Sequence, residues 1–257
     1  MSITDAIILG VVEGVTEFLP VSSTGHLMLA SEVLGLHTTE FLKTFEISIQ
    51  LGAVAAVVFL YWRSLFTDFN IIKRIIVAFI PTGVLGLALY SIVKDVFLES
   101  NTLVLYALFI GGVALILFES WHLKFGLTRT QDIANIPLWQ AALVGVFQSL
   151  AFIPGVSRSA ATIVGGLALG VSRQTIVEFS FLLAVPTMLA ATGVELVQNS
   201  GAFHIAEIHL LLVGMLISFV VAVVSITFLL AFVRKHSFVG FGVYRILIAI
   251  IFWATLT

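Results

Sequence analysis

The chain has 257 residues, of which 60% are hydrophobic and only 10% are charged, and its mean hydropathy is +1.17. A soluble globular domain carries roughly 25% charged residues, so this composition is typical of an integral membrane protein. The lack of cysteine excludes disulfides, thiol nucleophiles and cysteine metal sites. A net charge of −2 provides no basic surface for nucleic acid, and nucleic-acid partners are therefore not expected.

The N-terminal segment is apolar but does not resemble a cleaved signal peptide. It has no basic region, and it contains Asp5, Glu13 and Glu17 within its first twenty residues. We expect it to be part of the fold.

Six apolar segments are predicted to cross the membrane completely. A hydrocarbon core about 30 Å thick needs about 20 apolar residues in a helix. In chain order the predicted spans are residues 47–62, 75–93, 102–118, 175–197, 209–233 and 239–256.

Two further segments, residues 4–36 and 138–170, are each interrupted by a short polar break that contains a proline. The breaks are PVSSTG, residues 20–25, and PGVSRS, residues 154–159. Because proline interrupts a helix, each segment is predicted to form two helices joined by the break. Irregular backbone at membrane depth must be buried in protein or line a wet cavity. These segments are predicted to be re-entrant helix hairpins.

The two halves of the chain, about 1–120 and about 136–257, show the same order of a hairpin followed by three spans. A shift of 135 residues pairs Gly10 with Gly145, Glu13 with Gln148, Ser22 with Ser157, Thr24 with Ser159 and Gly35 with Gly170. Because each half contains an odd number of full spans, the second half must cross the membrane in the opposite direction to the first. We predict a single membrane domain, an all-α polytopic integral membrane protein with six full transmembrane helices and two re-entrant hairpins in an inverted-topology repeat.

The loop charges predict the orientation. Alternating spans place three basic loops on one side, which the positive-inside rule assigns to the cytoplasm; they contain Arg63, Lys73, Arg74, Lys124, Arg129, Arg234 and Lys235. Asp95, Glu99 and Glu207 fall in the opposite loops. Both termini are therefore predicted outside, with the hairpins entering from opposite faces. Interrupted helices at matching positions of inverted halves point to a binding site near the midplane.

Two glutamates, Glu13 and Glu17, lie four residues apart just before the first break. On a helix they share one face, where their charges repel unless a cation joins them or one carboxylate keeps its proton. Ionisable groups at membrane depth are candidates for function; a solvated helix end at the membrane surface is the alternative. Mg²⁺ typically binds one or two carboxylates together with substrate phosphates, and Ca²⁺ fits the same oxygens.

Arg158 lies inside the second break, where a planar guanidinium is suited to phosphate or carboxylate binding; a structural pair with a glutamate is the alternative. Each break precedes an apolar run and so presents a helix N-terminus, whose free N–H groups attract anions. Nearby hydroxyl groups either bind the anion or only cap the helices. These candidate substrate-binding residues are Ser22, Thr24, Ser157, Ser159 and Thr162.

His26 and Ser23 are three residues apart and could meet at the start of the helix after the first break. A lone histidine in an apolar segment is often only a structural residue. Beside a serine and an anion pocket, His26 becomes a candidate general base or nucleophile, because imidazole exchanges protons near neutral pH.

The stretches EGVTEFLPVSSTGH and PGVSRSAAT resemble the two signature regions of the bacterial undecaprenyl pyrophosphate phosphatase family, the bacitracin-resistance type. FEISIQLG and SRQTIVEFSFLLAVP are also similar to that family. The resemblance implies a plasma-membrane enzyme that hydrolyses undecaprenyl pyrophosphate to undecaprenyl phosphate and phosphate. This reaction recycles the lipid carrier of peptidoglycan synthesis and confers bacitracin resistance.

By position, the resemblance places the acidic motif on Glu13 and Glu17, the catalytic serine and histidine on Ser23 and His26, and the phosphate-binding arginine on Arg158. It implies Mg²⁺ or Ca²⁺ as cofactor and an active site on the outer face. The resulting hypothesis is that the glutamates hold the metal, Arg158 and the helix N-termini hold the diphosphate, and His26 activates Ser23 or a water. Phosphoryl transfer depends mainly on such positioning and charge neutralisation.

A secondary transporter or lipid-carrier flippase is the alternative, because inverted repeats with broken helices are also transporter architecture. A homodimer is possible.

Overall fold

The computed structural model describes residues 1–37, 39–92, 101–125, 130, 132–198 and 207–256. The described residues are almost entirely helical. In chain order the helices are α1 (Ile3–Thr16), α2 (Ser23–Val33), α3 (Glu40–Phe66), α4 (Phe69–Ile92), α5 (Asn101–Phe125), α6 (Leu138–Gln148), α7 (Arg158–Ala168), α8 (Arg173–Gln198), α9 (Ile208–Val233) and α10 (Val239–Leu256). Short 3₁₀ turns at Ile133–Asn135 and Ser149–Phe152 flank α6.

Five of the described helices, α3, α4, α5, α8 and α9, are long and apolar enough to cross a membrane. Each corresponds to a predicted span, and the sixth span is the shorter helix α10. The first of these spans was predicted to start at residue 47, seven residues after the observed start of α3. The helix starts earlier because Thr39 caps it by accepting a hydrogen bond from Leu42 N at 3.1 Å. Residue 93, Asp95, Glu99 and Arg129 lie outside the described residues.

The two predicted hairpins are confirmed as the helix pairs α1–α2 and α6–α7. Ser22 and Ser157 cap the second helix of each pair, and both are non-glycine residues with positive φ, 74° and 31°. Each pair ends at a glycine with positive φ, Gly35 at 66° and Gly170 at 86°. The residues that the 135-residue shift equates therefore have equivalent conformations at both ends of the second helix.

Each hairpin packs against a helix of the other half of the chain. In the first hairpin, a Cβ on Gly10 would lie 2.8 Å from Gly214 O, and one on Gly14 would lie 2.7 Å from Ser218 O. Helices α1 and α9 are thus in backbone contact and run parallel. In the second hairpin, Gln148 Nε2 donates to Thr82 Oγ1 at 3.0 Å, which fixes α6 against α4.

The contacts also show the relative direction of the hairpins. The Cβ position of Gly52 meets the Met215 backbone, and the rings of Phe59 and Phe219 lie 5.8 Å apart, so α9 runs parallel to α3. Helix α4 follows α3 after a two-residue turn and runs back. Helix α6 runs parallel to α4, because Arg74 Nε donates to Ile136 O just before α6 and Gln148 contacts Thr82 further along both helices. Since α1 is parallel to α9, the hairpins point in opposite directions, as the inverted repeat predicts.

Candidate active site

The carboxylate of Glu17 joins the second helices of the two hairpins. Its Oε1 forms an ion pair with Arg158 Nη2 at 2.7 Å, and its Oε2 accepts a hydrogen bond from Ser23 Oγ at 2.5 Å. Ser23 is the first residue of α2, and Arg158 is the first residue of α7. Three predicted site residues, separated by up to 141 positions in the chain, therefore meet at one point.

The local backbone explains this meeting. Glu17 closes the last turn of α1 by donating its N–H to Glu13 O at 2.9 Å, and the chain then turns through Pro20 to Ser22. Side chains tilt toward the N-terminus of their helix. The hydroxyl of Ser23, at the first position of α2, therefore reaches back to the end of α1.

Arg158 is held from two further directions. Its Nη1 donates to Ser180 O on α8 at 2.8 Å, and its guanidinium lies over the Phe18 ring, 5.7 Å from the ring centre. Its buried Nε has no hydrogen-bond partner among the described residues. The predicted alternative, a pair with a glutamate, is thus present, and a donor is still free beside it for an anion.

Glu13, one turn before Glu17, is fully buried. Neither of its carboxylate oxygens has a hydrogen-bond partner within the described chain. A buried carboxylate without partners is strongly disfavoured unless it takes up a proton or a cation. The interpretation of this pair as a solvated helix end is wrong, because Glu17 is also only 7% exposed.

The donor set around Glu13 fits a divalent cation that also binds substrate. No three histidine or acidic side chains of the described residues form a complete metal cage. Mg²⁺ commonly uses only one or two carboxylates and takes its other ligands from phosphate and water. Glu13 and Glu17 supply such a pair, and the unpartnered oxygens of Glu13 are the observation that favours a cation there.

His26 lies beside this group but contacts other residues. Its Nδ1 is 2.7 Å from Ser22 O, and because a carbonyl only accepts, Nδ1 carries the hydrogen. The free Nε2 then accepts from Tyr244 Oη at 2.8 Å, and the two rings stack. No hydrogen bond joins His26 to Ser23 in the described structure, since the two ring nitrogens are bonded to Ser22 O and Tyr244 Oη.

The five hydroxyl residues have different surroundings. Ser22 and Ser157 accept from Gly25 N at 3.4 Å and Ala160 N at 3.2 Å, so both act as helix caps. Thr162 donates back to Arg158 O at 2.9 Å.

Ser159 is fully buried, and its hydroxyl has no partner among the described residues. Thr24 is exposed at the second position of α2. Of the five hydroxyls, that of Ser159 is therefore the best candidate for a phosphate ligand inside the site.

Sequence reasoning missed three residues near the site, Tyr244, Arg245 and Glu46. Tyr244 bonds His26, Arg245 contacts both breaks, and Glu46 accepts from Ser31 Oγ at 3.2 Å. The available signals were the single charge in the predicted span 239–256, Arg245, and the single charge in the segment FEISIQLG, Glu46.

Comparison with known proteins identifies the family. A family model described as bacitracin resistance protein BacA matches residues 6–251. The chain belongs to this family. It is 50% identical over 253 residues to the undecaprenyl-diphosphatase of a Sulfurihydrogenibium species, covering 98% of this chain and 99% of that protein. It is 47% identical to the undecaprenyl-diphosphatases of Aquifex aeolicus and Thermus thermophilus; these alignments cover 97% and 98% of this chain and 96% and 97% of the relatives.

Proposed function

We propose that the protein hydrolyses undecaprenyl pyrophosphate to undecaprenyl phosphate and inorganic phosphate in the bacterial plasma membrane. The observation that carries this proposal is the group of Glu17, Ser23 and Arg158, which brings a base, a hydroxyl and a guanidinium together at two helix N-termini. The names of the close relatives support the lipid diphosphate as substrate.

Glu17 is positioned to act as the general base. Ser23 Oγ already donates its hydrogen to Glu17 Oε2, so the carboxylate can take that proton as the oxygen attacks the terminal phosphorus. The bond to the bridging oxygen breaks, and undecaprenyl phosphate leaves. Water then releases phosphate from Ser23. In the second route that fits this geometry, Glu17 and Ser23 orient an attacking water; a phosphoserine trapped at Ser23 supports the first route and contradicts the second.

Positive charge in the site would neutralise the phosphoryl oxygens. Arg158, through its unpaired Nε, and the N-termini of α2 and α7 supply it from the protein. Glu13 and Glu17 would hold Mg²⁺ or Ca²⁺, which would add charge neutralisation at the diphosphate. The Ser22 carbonyl fixes the tautomer of His26, and its Nε2 is bonded to Tyr244, so His26 is not placed to act as the direct base for Ser23.

The site is proposed to open toward the outside. The basic loop residues support this orientation, since α1 begins on the face opposite Arg63, Lys73 and Arg74. The natural chain has no cysteine, so His37→Cys and Lys235→Cys can each be labelled alone. A membrane-impermeant maleimide added to intact cells should label the first variant and not the second; the reverse pattern would contradict the orientation.

The proposed activity is tested by phosphate release from undecaprenyl pyrophosphate by purified protein. We expect release with Mg²⁺ or Ca²⁺, none with EDTA, and loss of release in Glu17→Ala and Arg158→Ala. The transporter alternative predicts instead gradient-driven movement of lipid or anion without hydrolysis. Light scattering of the detergent complex measures whether a homodimer forms.

A further inference from the structure

Arg245 is a buried charge that the proposed chemistry does not use. It lies on α10, inside an apolar span, and is only 1% exposed. Within the described chain it forms no ion pair with a carboxylate; its hydrogen bonds all go to main-chain carbonyl groups. Burying an arginine is unfavourable unless its donors are satisfied. Main-chain carbonyls satisfy them here, and their positions in the fold indicate what the side chain does.

The carbonyls belong to three separate parts of the fold. Nη1 donates to Pro20 O at 3.4 Å, in the first break, and Nη2 donates to Gly155 O at 2.9 Å, in the second. Nη2 and Nε also donate to Ala107 O at 3.1 Å and Leu108 O at 3.3 Å on α5. One guanidinium therefore connects both hairpin breaks to the same helix.

Helix α5 is shaped to admit this side chain. A Cβ on Gly111 would collide with Nη2 of Arg245 and lie 2.8 Å from its Cζ. Gly155 has φ +93° and approaches the same helix, where a Cβ would lie 2.7 Å from Val104 O. Glycine at these positions lets the guanidinium and the second break reach the α5 backbone.

We propose that Arg245 is a positioning residue, a clamp that sets the two hairpin breaks against each other. Pro20 lies three residues from both Glu17 and Ser23, and Gly155 lies three residues before Arg158. Holding these two carbonyls on one planar fork fixes the distance between the groups that meet at Glu17. The five donors of arginine can serve four carbonyls, whereas the single ammonium of lysine cannot.

The kinetic test rests on the proposed phosphatase activity and uses four variants. Arg245→Met removes the clamp, Gly111→Ala displaces it while keeping the arginine, and Arg245→Lys keeps the charge without the fork. Gly240→Ala is the matched control, because nothing lies within 4 Å of its Cβ position. The first three should lose kcat by roughly 100-fold, as misplacement by about 1 Å can do, with KM little changed. Gly240→Ala should behave as wild type.

The second test needs no substrate. Nitroxide labels at Val33→Cys and Leu150→Cys, both exposed and one on each hairpin, report the hairpin separation by pulsed electron paramagnetic resonance. We expect one narrow distance distribution in the otherwise wild-type protein and in Gly240→Ala, and a broadened or shifted one in Arg245→Met and Gly111→Ala.

The proposal would be overturned if Arg245→Met and Gly111→Ala both kept the wild-type distances and the wild-type kcat. It would also be overturned if Arg245→Lys were fully active, because a positive charge alone would then suffice. If Arg245→Met does not fold, Gly111→Ala decides, because it retains the arginine. If the wild-type protein releases no phosphate, the proposed function fails, and the distance measurement still decides whether Arg245 is a clamp.

Discussion

At the scale of single residues, the contacts of Glu17 favour a role in the proposed reaction over a role in stability. Its pair with Arg158 is largely buried, with 5% and 13% of the two side chains exposed. Buried ion pairs contribute little net stability, because desolvation offsets their attraction. The proposed hydrolysis explains this ion pair better than stability does, since Glu17 both orients the Arg158 guanidinium and accepts the hydrogen of Ser23.

Glu17→Gln should lower kcat by at least about 100-fold, the usual contribution of a general base, because an amide cannot take the Ser23 proton. Glu40→Gln is the control, since Glu40 forms only an exposed pair with Lys43 on α3. Phosphate release by the two purified variants measures the difference. A kcat of Glu17→Gln within threefold of wild type would mean that another group takes the proton.

Tyr244→Phe should lower kcat by about fivefold, the equivalent of the roughly 1 kcal/mol that one hydrogen bond provides. The aromatic ring can still stack on His26, so the fold should persist. Tyr106→Phe, which also removes a phenolic hydroxyl but lies on α5 against Trp253, is the control. Equal kcat values for both variants would show that the bond to His26 Nε2 has no part in turnover.

Only part of the residue-level site was accessible from the sequence. Glu13, Glu17 and Arg158 were found because charges in apolar segments are conspicuous. Ser23, which contacts Glu17 rather than His26, follows a turn in which Ser22 has a positive φ, a conformation that serine rarely adopts and no spacing rule predicts. The charge of Arg245 in an apolar span was an available signal, but its contacts with main-chain carbonyls from distant segments could not be predicted from the sequence.

At the scale of helices and hairpins, the breaks were predictable and their packing was not. Proline and small polar residues located both breaks, and the 135-residue shift equated Ser22 with Ser157. The contact of α1 with α9 joins residues about 200 positions apart through Gly10, Gly14 and their neighbours. Small residues favour close helix approach, but their spacing does not indicate which helix approaches.

Gly14→Ala should destabilise this contact. The new Cβ would lie 2.7 Å from Ser218 O and 2.8 Å from Val221 Cβ, so α1 must move away from α9. Overpacking of this kind typically costs about 1–3 kcal/mol, and the thermal unfolding midpoint in detergent should fall. Gly193→Ala on α8, where nothing lies within 4 Å, should leave the midpoint unchanged or slightly higher. Equal midpoints for the two variants would contradict the packing.

At the scale of the whole molecule, the candidate site needs residues from both halves of the chain, and each half packs against helices of the other. The first hairpin supplies Glu13, Glu17 and Ser23, the second supplies Arg158, and each hairpin is held by helices of the opposite half. Both halves of the chain therefore contribute side chains to the same site. The opposite direction of the two hairpins was predictable from the odd number of spans in each half. The packing of each hairpin on helices of the other half depends on tertiary contacts, which the sequence pattern does not indicate.

Glu13→Gln should raise the Mg²⁺ concentration needed for half-maximal activity by at least roughly tenfold. Loss of a residue that only supports a metal ligand already lowers metal affinity about tenfold, and loss of a direct ligand should lower it at least as much. Glu32→Gln is the control, because Glu32 is exposed on α2 of the same hairpin. Titration of each EDTA-treated variant with Mg²⁺ makes the comparison. Overlapping titration curves would place the cation elsewhere.

The two breaks form one site only if Glu17 and Arg158 act together. A double-mutant cycle with Glu17→Gln, Arg158→Met and the combined variant, scored by kcat/KM on undecaprenyl pyrophosphate, tests it most directly. We predict a coupling free energy of at least about 1.5 kcal/mol between the two residues, with the combined variant little worse than the poorer single one. If the losses in kcat/KM of the two single variants simply multiply in the combined variant, the two residues act independently and do not form one site.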